Sequence, residues 1–192
     1  MKSAGLIELG RGMAWNVGLM ENRTILLSFI FIPALVIATI TDLRTGRIYD
    51  RLNYPLMIVS LWISLAEELL MDPEYRTGGL SACVAGGFVC FSLMFLNYII
   101  VGGGGGDVKL ATALGMGYGL MDGLNILVLT YLLGAIYIAC CLTIDALRYA
   151  RWHVRQHHGS VSFVARISAQ SKLRMGPFFL VSTIMVIVEG IV

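Results

Sequence analysis

Apolar residues fall in long runs with hardly any charge, from Thr24 to Thr41, Tyr54 to Ala66, Leu80 to Val101, Val108 to Met121, Leu124 to Ile144 and Met175 to Val192. A bilayer core of about 30 Å takes roughly 17 to 25 helical residues to cross. The runs therefore predict an all-α, polytopic transmembrane helix bundle of about six spans. The second and fourth runs are short for that purpose, so they must borrow flanking polar residues or lie against a thinned or water-filled region. Pro33 lies inside the first run and glycines flank the fourth, which predicts at least one kinked or interrupted helix.

Composition agrees with that reading. Mean hydropathy is +0.79, and 57% of residues are hydrophobic with only 14% charged, against roughly 25% charged in soluble domains. About six spans nearly consume the 192 residues, so residues 1–192 are expected to form one membrane domain. Within it, 24–192 make the bundle, and 1–23, where Leu6, Ile7, Leu9, Met13, Trp15 and Val17 alternate with polar residues, make an interfacial segment. No cleavable signal peptide is expected, because the first apolar run lacks a small-residue cleavage site after it. Cys83, Cys90, Cys140 and Cys141 lie in apolar runs without a CxxC pair and read as small buried hydrophobes.

The net charge of +2 is small and nucleic acid is not an expected partner, but the placement of the basic residues carries information. With the loop after the first span in the cytoplasm, that side collects Arg44, Arg47, Arg51, Lys109, Arg148, Arg151, Arg155, Arg166, Lys172 and Arg174, leaving Lys2, Arg11, Arg23 and Arg76 outside. The rule that positive loops stay inside then places both termini outside and the segments holding Asp42 and Asp107 at the cytoplasmic face. The basic loop from Arg148 to Arg174 contains no acidic residue and suits anionic lipid head groups.

Two carboxylates stand out. Asp42 closes the first apolar run and opens TDLRTGRIYDRLN; Asp107 follows VGGGGG at the start of the fourth. Both therefore fall at the same depth on the same face, and carboxylates near hydrocarbon are costly and commonly functional. Brought together, two such groups cannot easily both ionise and share a proton, so that one activates water while the other donates to a scissile carbonyl. Their titration belongs to the dyad. Gly102 to Gly106, lacking side chains, permit unusual backbone angles and close approach of an extended peptide. Gly106, adjacent to Asp107, is expected to tolerate a side chain less well than Gly102.

The segments DLRTGRIYDRLN and GGGGGDVKLATALG resemble the two signature regions of the prepilin leader peptidases, membrane aspartyl proteases of the GxGD type. The first signature falls on Asp42, Ile48, Tyr49, Asp50 and Leu52, with Tyr49 in the usual proline position; the second, GxGDxK, falls on Gly104, Gly106, Asp107 and Lys109. MGPF, at Met175 to Phe178, resembles a further family segment near the last helix. The resemblance implies Asp42 and Asp107 as the catalytic pair, and Gly104, Gly106 and Lys109 as residues positioning substrate or backbone. It implies no cofactor and no metal. The implied partners are type IV pilin-like precursors, besides membrane lipids, and the implied location is the cytoplasmic (inner) membrane, in multi-pass form. The cytosolic segment with paired CxxC motifs found in bifunctional, N-methylating members does not occur here. The implied type is thus the compact peptidase associated with Tad-like pili, with archaeal preflagellin peptidases as close relatives.

Other residues carry plainer readings. Lys109 either tunes Asp107 and positions peptide or snorkels to head groups, and Asp50 is expected to cap a helix. Glu67, Glu68, Asp72 and Glu74 read as a solvated loop at the opposite face, and Glu189 as interfacial. Asp145 and Arg148 are spaced for a helical ion pair, and His153, His157 and His158 for a solvated segment in preference to a metal site. Two alternatives to the prepilin peptidase stand open. One is a non-enzymatic assembly subunit or small transporter in which the aspartates carry protons or fix helices. The other is a presenilin-type protease, whose first aspartate lies deeper in a span within a YD motif.

Overall fold

The computed structural model describes residues 25–70, 79–102, 104–153 and 174–191, all helical apart from short connections. Five helices follow one another in that set: α1 Ile25–Thr45, then α2 Asp50–Leu70, α3 Gly79–Val101, α4 Gly105–His153 and α5 Gly176–Ile191. Ile25–Thr45, Gly79–Ile100 and Gly105–Ile144 are long and apolar enough to cross a membrane, and Gly176–Glu189 is a shorter apolar helix. Phe29, at 77% exposed, Trp62, Phe88 and Ile100 point outward, as suits a bundle solvated by lipid in which outward apolar side chains lose nothing. The chain is an all-helical membrane protein.

α4 is one element only nominally. At Gly119 the backbone takes φ 85° and ψ −174°, a combination open essentially to glycine alone. The chain turns back on itself there: a Cβ on Gly123 would lie 2.8 Å from the Gly115 Cα, impossible in a straight helix, where eight residues span about 12 Å. The arms before and after Gly119 thus correspond to the fourth and fifth apolar runs. The break expected at Asp122 and Gly123 lies earlier, because positive φ and not polarity decides where a helix can reverse.

Small residues make the tightest crossing. Gly86 of α3 stands directly against the backbone of Gly115 and Gly119, with the Cys90 Sγ filling the next turn beside Gly115 and Gly123, the close backbone approach that membrane helices use in place of a hydrophobic driving force. α5 docks through Phe179, Ser182, Thr183, Val186 and Ile187, and the Ser182 and Thr130 hydroxyls share a buried hydrogen bond of 2.6 Å. Such bonds between membrane helices contribute about 0.6 kcal/mol each.

α1 buries one stripe, Leu27, Phe31, Leu35 and Ala38, at the three-and-four spacing of a helix face. Asp42 continues it, so the face that packs the core also carries the carboxylate inward. Gly46, at φ 65°, then donates its N–H to the Asp42 carbonyl at 2.8 Å, the left-handed glycine cap that ends a helix. The inward face of α2 is polar: Asn53, Ser60, Ser64 and Glu67 with Leu56. Glu67, expected in a solvated loop, is only 7% exposed, because α2 runs to Leu70 and not to Ala66. Glu68 accepts a hydrogen bond from the Leu80 N–H at 3.3 Å, placing a carboxylate at the N-terminus of α3, where it is favoured. Cys83 and Cys90 are buried, whereas Cys140 is exposed and Cys141 half-buried, since the second arm of α4 turns that face outward. Residues 1–23, Asp72, Glu74, His157 and His158 lie outside the described residues, as do the side chains of Asp145, Arg148 and His153.

Candidate active site

Three helix ends meet where the carboxylates lie. Asp42, in the last turn of α1, is 6% exposed, and its Oδ2 accepts the Gly176 N–H at 3.0 Å. Gly176 begins α5, where N–H groups have no intrahelical acceptor, and Pro177 beside it removes only a donor the helix could not have used. The absence of a side chain at Gly176 is required: a Cβ would lie 3.0 Å from the Asp42 Oδ2, 3.1 Å from its Cβ and 3.2 Å from the Thr39 Cα. The last turn of a helix is otherwise poor for an anion, since its unpaired carbonyls carry the negative end of the macrodipole. The amide at the start of α5 offsets that.

Asp107 stands in the first turn of α4. Its N–H donates to the Gly104 carbonyl at 3.1 Å, and its carboxylate accepts the Gly104 N–H. A Cβ on Gly104 would lie 2.7 Å from the Asp107 Oδ2, so the glycine lets the carboxylate fold back onto the backbone. Asp42 and Asp107 are close enough for their charges to act on each other. Tyr131, from the returning arm of α4, is within electrostatic reach of Asp107 and donates its hydroxyl to the Met94 Sδ at 2.9 Å.

Beneath the glycine run lies the start of α2. A Cβ on Gly106 would lie 2.8 Å from the Ile48 carbonyl oxygen and 2.9 Å from its Cβ, whereas Gly105 and Gly102 have open space around them. Gly102 nonetheless takes φ 79°, so the freedom expected there is spatial but not conformational. Lys109 reaches Asp50 at 2.7 Å and sits over the Tyr54 ring, 5.1 Å from its centroid. Asp50, expected as a cap, is this lysine's partner at the first position of α2.

Two residues bonded to Asp42 or to the backbone beside Asp107 were not nominated from sequence. Gly176 was visible only as part of MGPF, and a backbone donor has no side-chain signature. Asn53 donates its Nδ2–H to the Gly106 carbonyl at 3.2 Å; its signal was a polar series at helical spacing, with Ser60 and Ser64, running from just before the second apolar run into it. Among the described residues no three His, Cys, Asp or Glu side chains group to hold a metal ion.

A buried and a half-buried carboxylate, each held by a backbone N–H and near enough for their charges to interact, can share a proton, activate a water and protonate a leaving group. No curated protein and no solved structure matches the chain. The model of the type IV leader peptidase family does match, over residues 29–139, a stretch holding both aspartates but not Gly176. The chain belongs to the type IV leader peptidase family.

Proposed function

We propose that this protein is an aspartyl endopeptidase of the cytoplasmic membrane that removes the leader from type IV pilin-like precursors of the Tad type, cutting at the cytoplasmic face. The observation that carries the reading is the meeting of Asp42 and Asp107, from helices far apart in sequence, at one end of the bundle. One carboxylate takes a proton from water as the water attacks the scissile carbonyl. The other, protonated, donates to the carbonyl oxygen, and collapse of the tetrahedral intermediate returns a proton to the leaving amine. Because the protein supplies both proton acceptor and donor, no cofactor enters the sequence of steps.

Support for the cytoplasmic face comes from Arg44, Arg47, Arg51, Lys109 and Arg174, all at the dyad end of the helices. The sequence contains no CxxC pair, which supports peptidase action without N-methylation. The test is cleavage of a synthetic pilin precursor by the detergent-purified protein, read by mass spectrometry of the new terminus. Asp42→Asn and Asp107→Asn keep the size of the side chain but cannot exchange the proton, and each is expected to lower turnover by at least about 10²- to 10⁴-fold. Normal cleavage by either variant removes that residue from the pair. No cleavage by the wild-type protein would favour a non-enzymatic assembly or transport subunit.

A further inference from the structure

Asn53 is wholly buried, at 0% exposed, and its two polar atoms are unequally used. Nδ2 donates to the Gly106 carbonyl, while Oδ1 is buried without a partner among the described residues. An orphaned buried carbonyl costs a fold about 1–3 kcal/mol, a cost that an apolar residue at this position would not carry. Stability alone would therefore place an apolar residue here, continuing Leu56. What the asparagine adds is a donor aimed from α2 at the peptide unit that joins Gly106 to Asp107.

That peptide unit is held from two sides. The Ile48 backbone lies so close below Gly106 that a Cβ would overlap it, and Asn53 holds the carbonyl from the side. Fixing the carbonyl fixes the peptide plane and so the place of the Asp107 Cα, and the helical φ of the first turn of α4 then sets the direction in which its Cα–Cβ bond leaves the chain. The neighbouring Lys109–Asp50 pair ties the same two helices, but its side chains are 34% and 52% exposed, and exposed pairs hold geometry weakly.

We propose that Asn53 is a positioning residue for the second aspartate: it holds the Gly106–Asp107 peptide so that the Asp107 carboxylate faces Asp42. The proposal rests on the leader-peptidase reading of the dyad. Asn53 touches no reacting atom. Its loss should leave substrate binding intact and slow the step in which the carboxylates act together.

The experiment compares the full-length protein in detergent with Asn53→Leu, Asn53→Asp and the control Ser60→Ala, measuring kcat and KM on a synthetic precursor together with thermal stability. Asn53→Leu removes both polar atoms, and Asn53→Asp keeps the shape but removes the amide donor. Both are expected to lower kcat roughly five- to tenfold, the worth of one hydrogen bond expressed at the transition state, with KM changed by less than about twofold. Asn53→Leu loses one hydrogen bond but also the orphaned carbonyl, so it should melt close to wild type. Ser60→Ala, which loses only a bond to the Leu56 carbonyl of its own helix, should match wild type throughout. Wild-type kcat in both Asn53 variants, or a loss of kcat that follows a fall in melting temperature, overturns the proposal and leaves the peptidase reading standing. An inactive wild type overturns that reading and this proposal with it.

Discussion

The contact between Gly106 and Ile48 makes a sharp prediction. In Gly106→Ala the new methyl would lie 2.8 Å from the Ile48 carbonyl oxygen and 2.9 Å from its Cβ. Ile48 is itself buried, and its backbone joins the end of α1 to the start of α2, so it has little room to give. Restoring an ordinary contact of 3.4 Å requires a displacement of about 0.6 Å, and Asp107, one residue on, is carried with it. Catalytic groups must be held within about 0.5 Å, and misplacement by about 1 Å can cost roughly 10²-fold in rate. The expected loss in kcat is therefore tenfold or more, with an overpacking penalty of about 1–3 kcal/mol in stability.

Gly105→Ala is the matched control. Its Cβ meets nothing within 4 Å, its φ is not positive, and it stands in the first turn of a helix, where alanine is at least as good as glycine. Both variants would be purified in one detergent, melted, and assayed for kcat and KM on one synthetic precursor. A kcat for Gly106→Ala equal to that of Gly105→Ala would refute the reasoning, because it would mean that the close approach to Ile48 does not set the position of Asp107. A defect confined to KM would move the role of Gly106 from positioning the aspartate to admitting substrate.

Other outcomes follow from the same contacts. Gly176→Ala should lower kcat at least tenfold, since its Cβ presses on Asp42 and moves the one amide donor described for that carboxylate; unchanged turnover would show that Asp42 is oriented without it. Gly119→Ala has room for its methyl but not for its backbone angles. It should destabilise by about 1–3 kcal/mol, seen as a lower melting temperature with kcat per folded molecule retained. Lys109→Met should keep kcat within about fivefold of wild type, because the ion pair it breaks is exposed; abolished cleavage would place the lysine at the substrate. Chelators should leave cleavage unchanged, and inhibition reversed by zinc would redirect attention to the histidines at 153, 157 and 158.

The sequence revealed the helices and the two aspartates for the same reason: hydrocarbon tolerates no stray charge, so an apolar run ending in Asp42 or beginning at Asp107 marks both a boundary and a candidate group. What it concealed depends on which face of a helix points inward. Glu67 and Asn53 interrupt an apolar helix much as a surface residue would, and only the packing of α2 against α3 and α4 turns them inside. The reversal at Gly119 was hidden among neighbouring glycines, because any of Gly115, Gly117 or Gly123 could have taken a positive φ and the polar Asp122 drew the boundary toward itself. Gly176 was hidden more completely. Its contribution is a peptide N–H, and its distance from Asp42 along the chain gives no local pattern to read.

The same contrast explains where the site is vulnerable. Two carboxylates that must face each other at fixed separation cannot rely on long side chains to hold them, since each rotatable bond would blur the geometry and cost entropy to freeze. Here the holding groups are short and stiff: the amide of Gly176 on Asp42, the amide of Gly104 on Asp107, and the Ile48 backbone against Gly106. The two amides stand at helix starts, where N–H groups are free because the helix has not yet used them, and the Ile48 backbone lies in the short connection just before α2. Each demands glycine at the contact, because backbone reaches carboxylate or backbone only when no Cβ stands between. Asn53 reaches in with a side chain, through a short amide of few rotamers. Side-chain substitutions around the rim, such as those at Lys109 or Asp50, should therefore be absorbed, while single methyl groups added at Gly104, Gly106 or Gly176 should not.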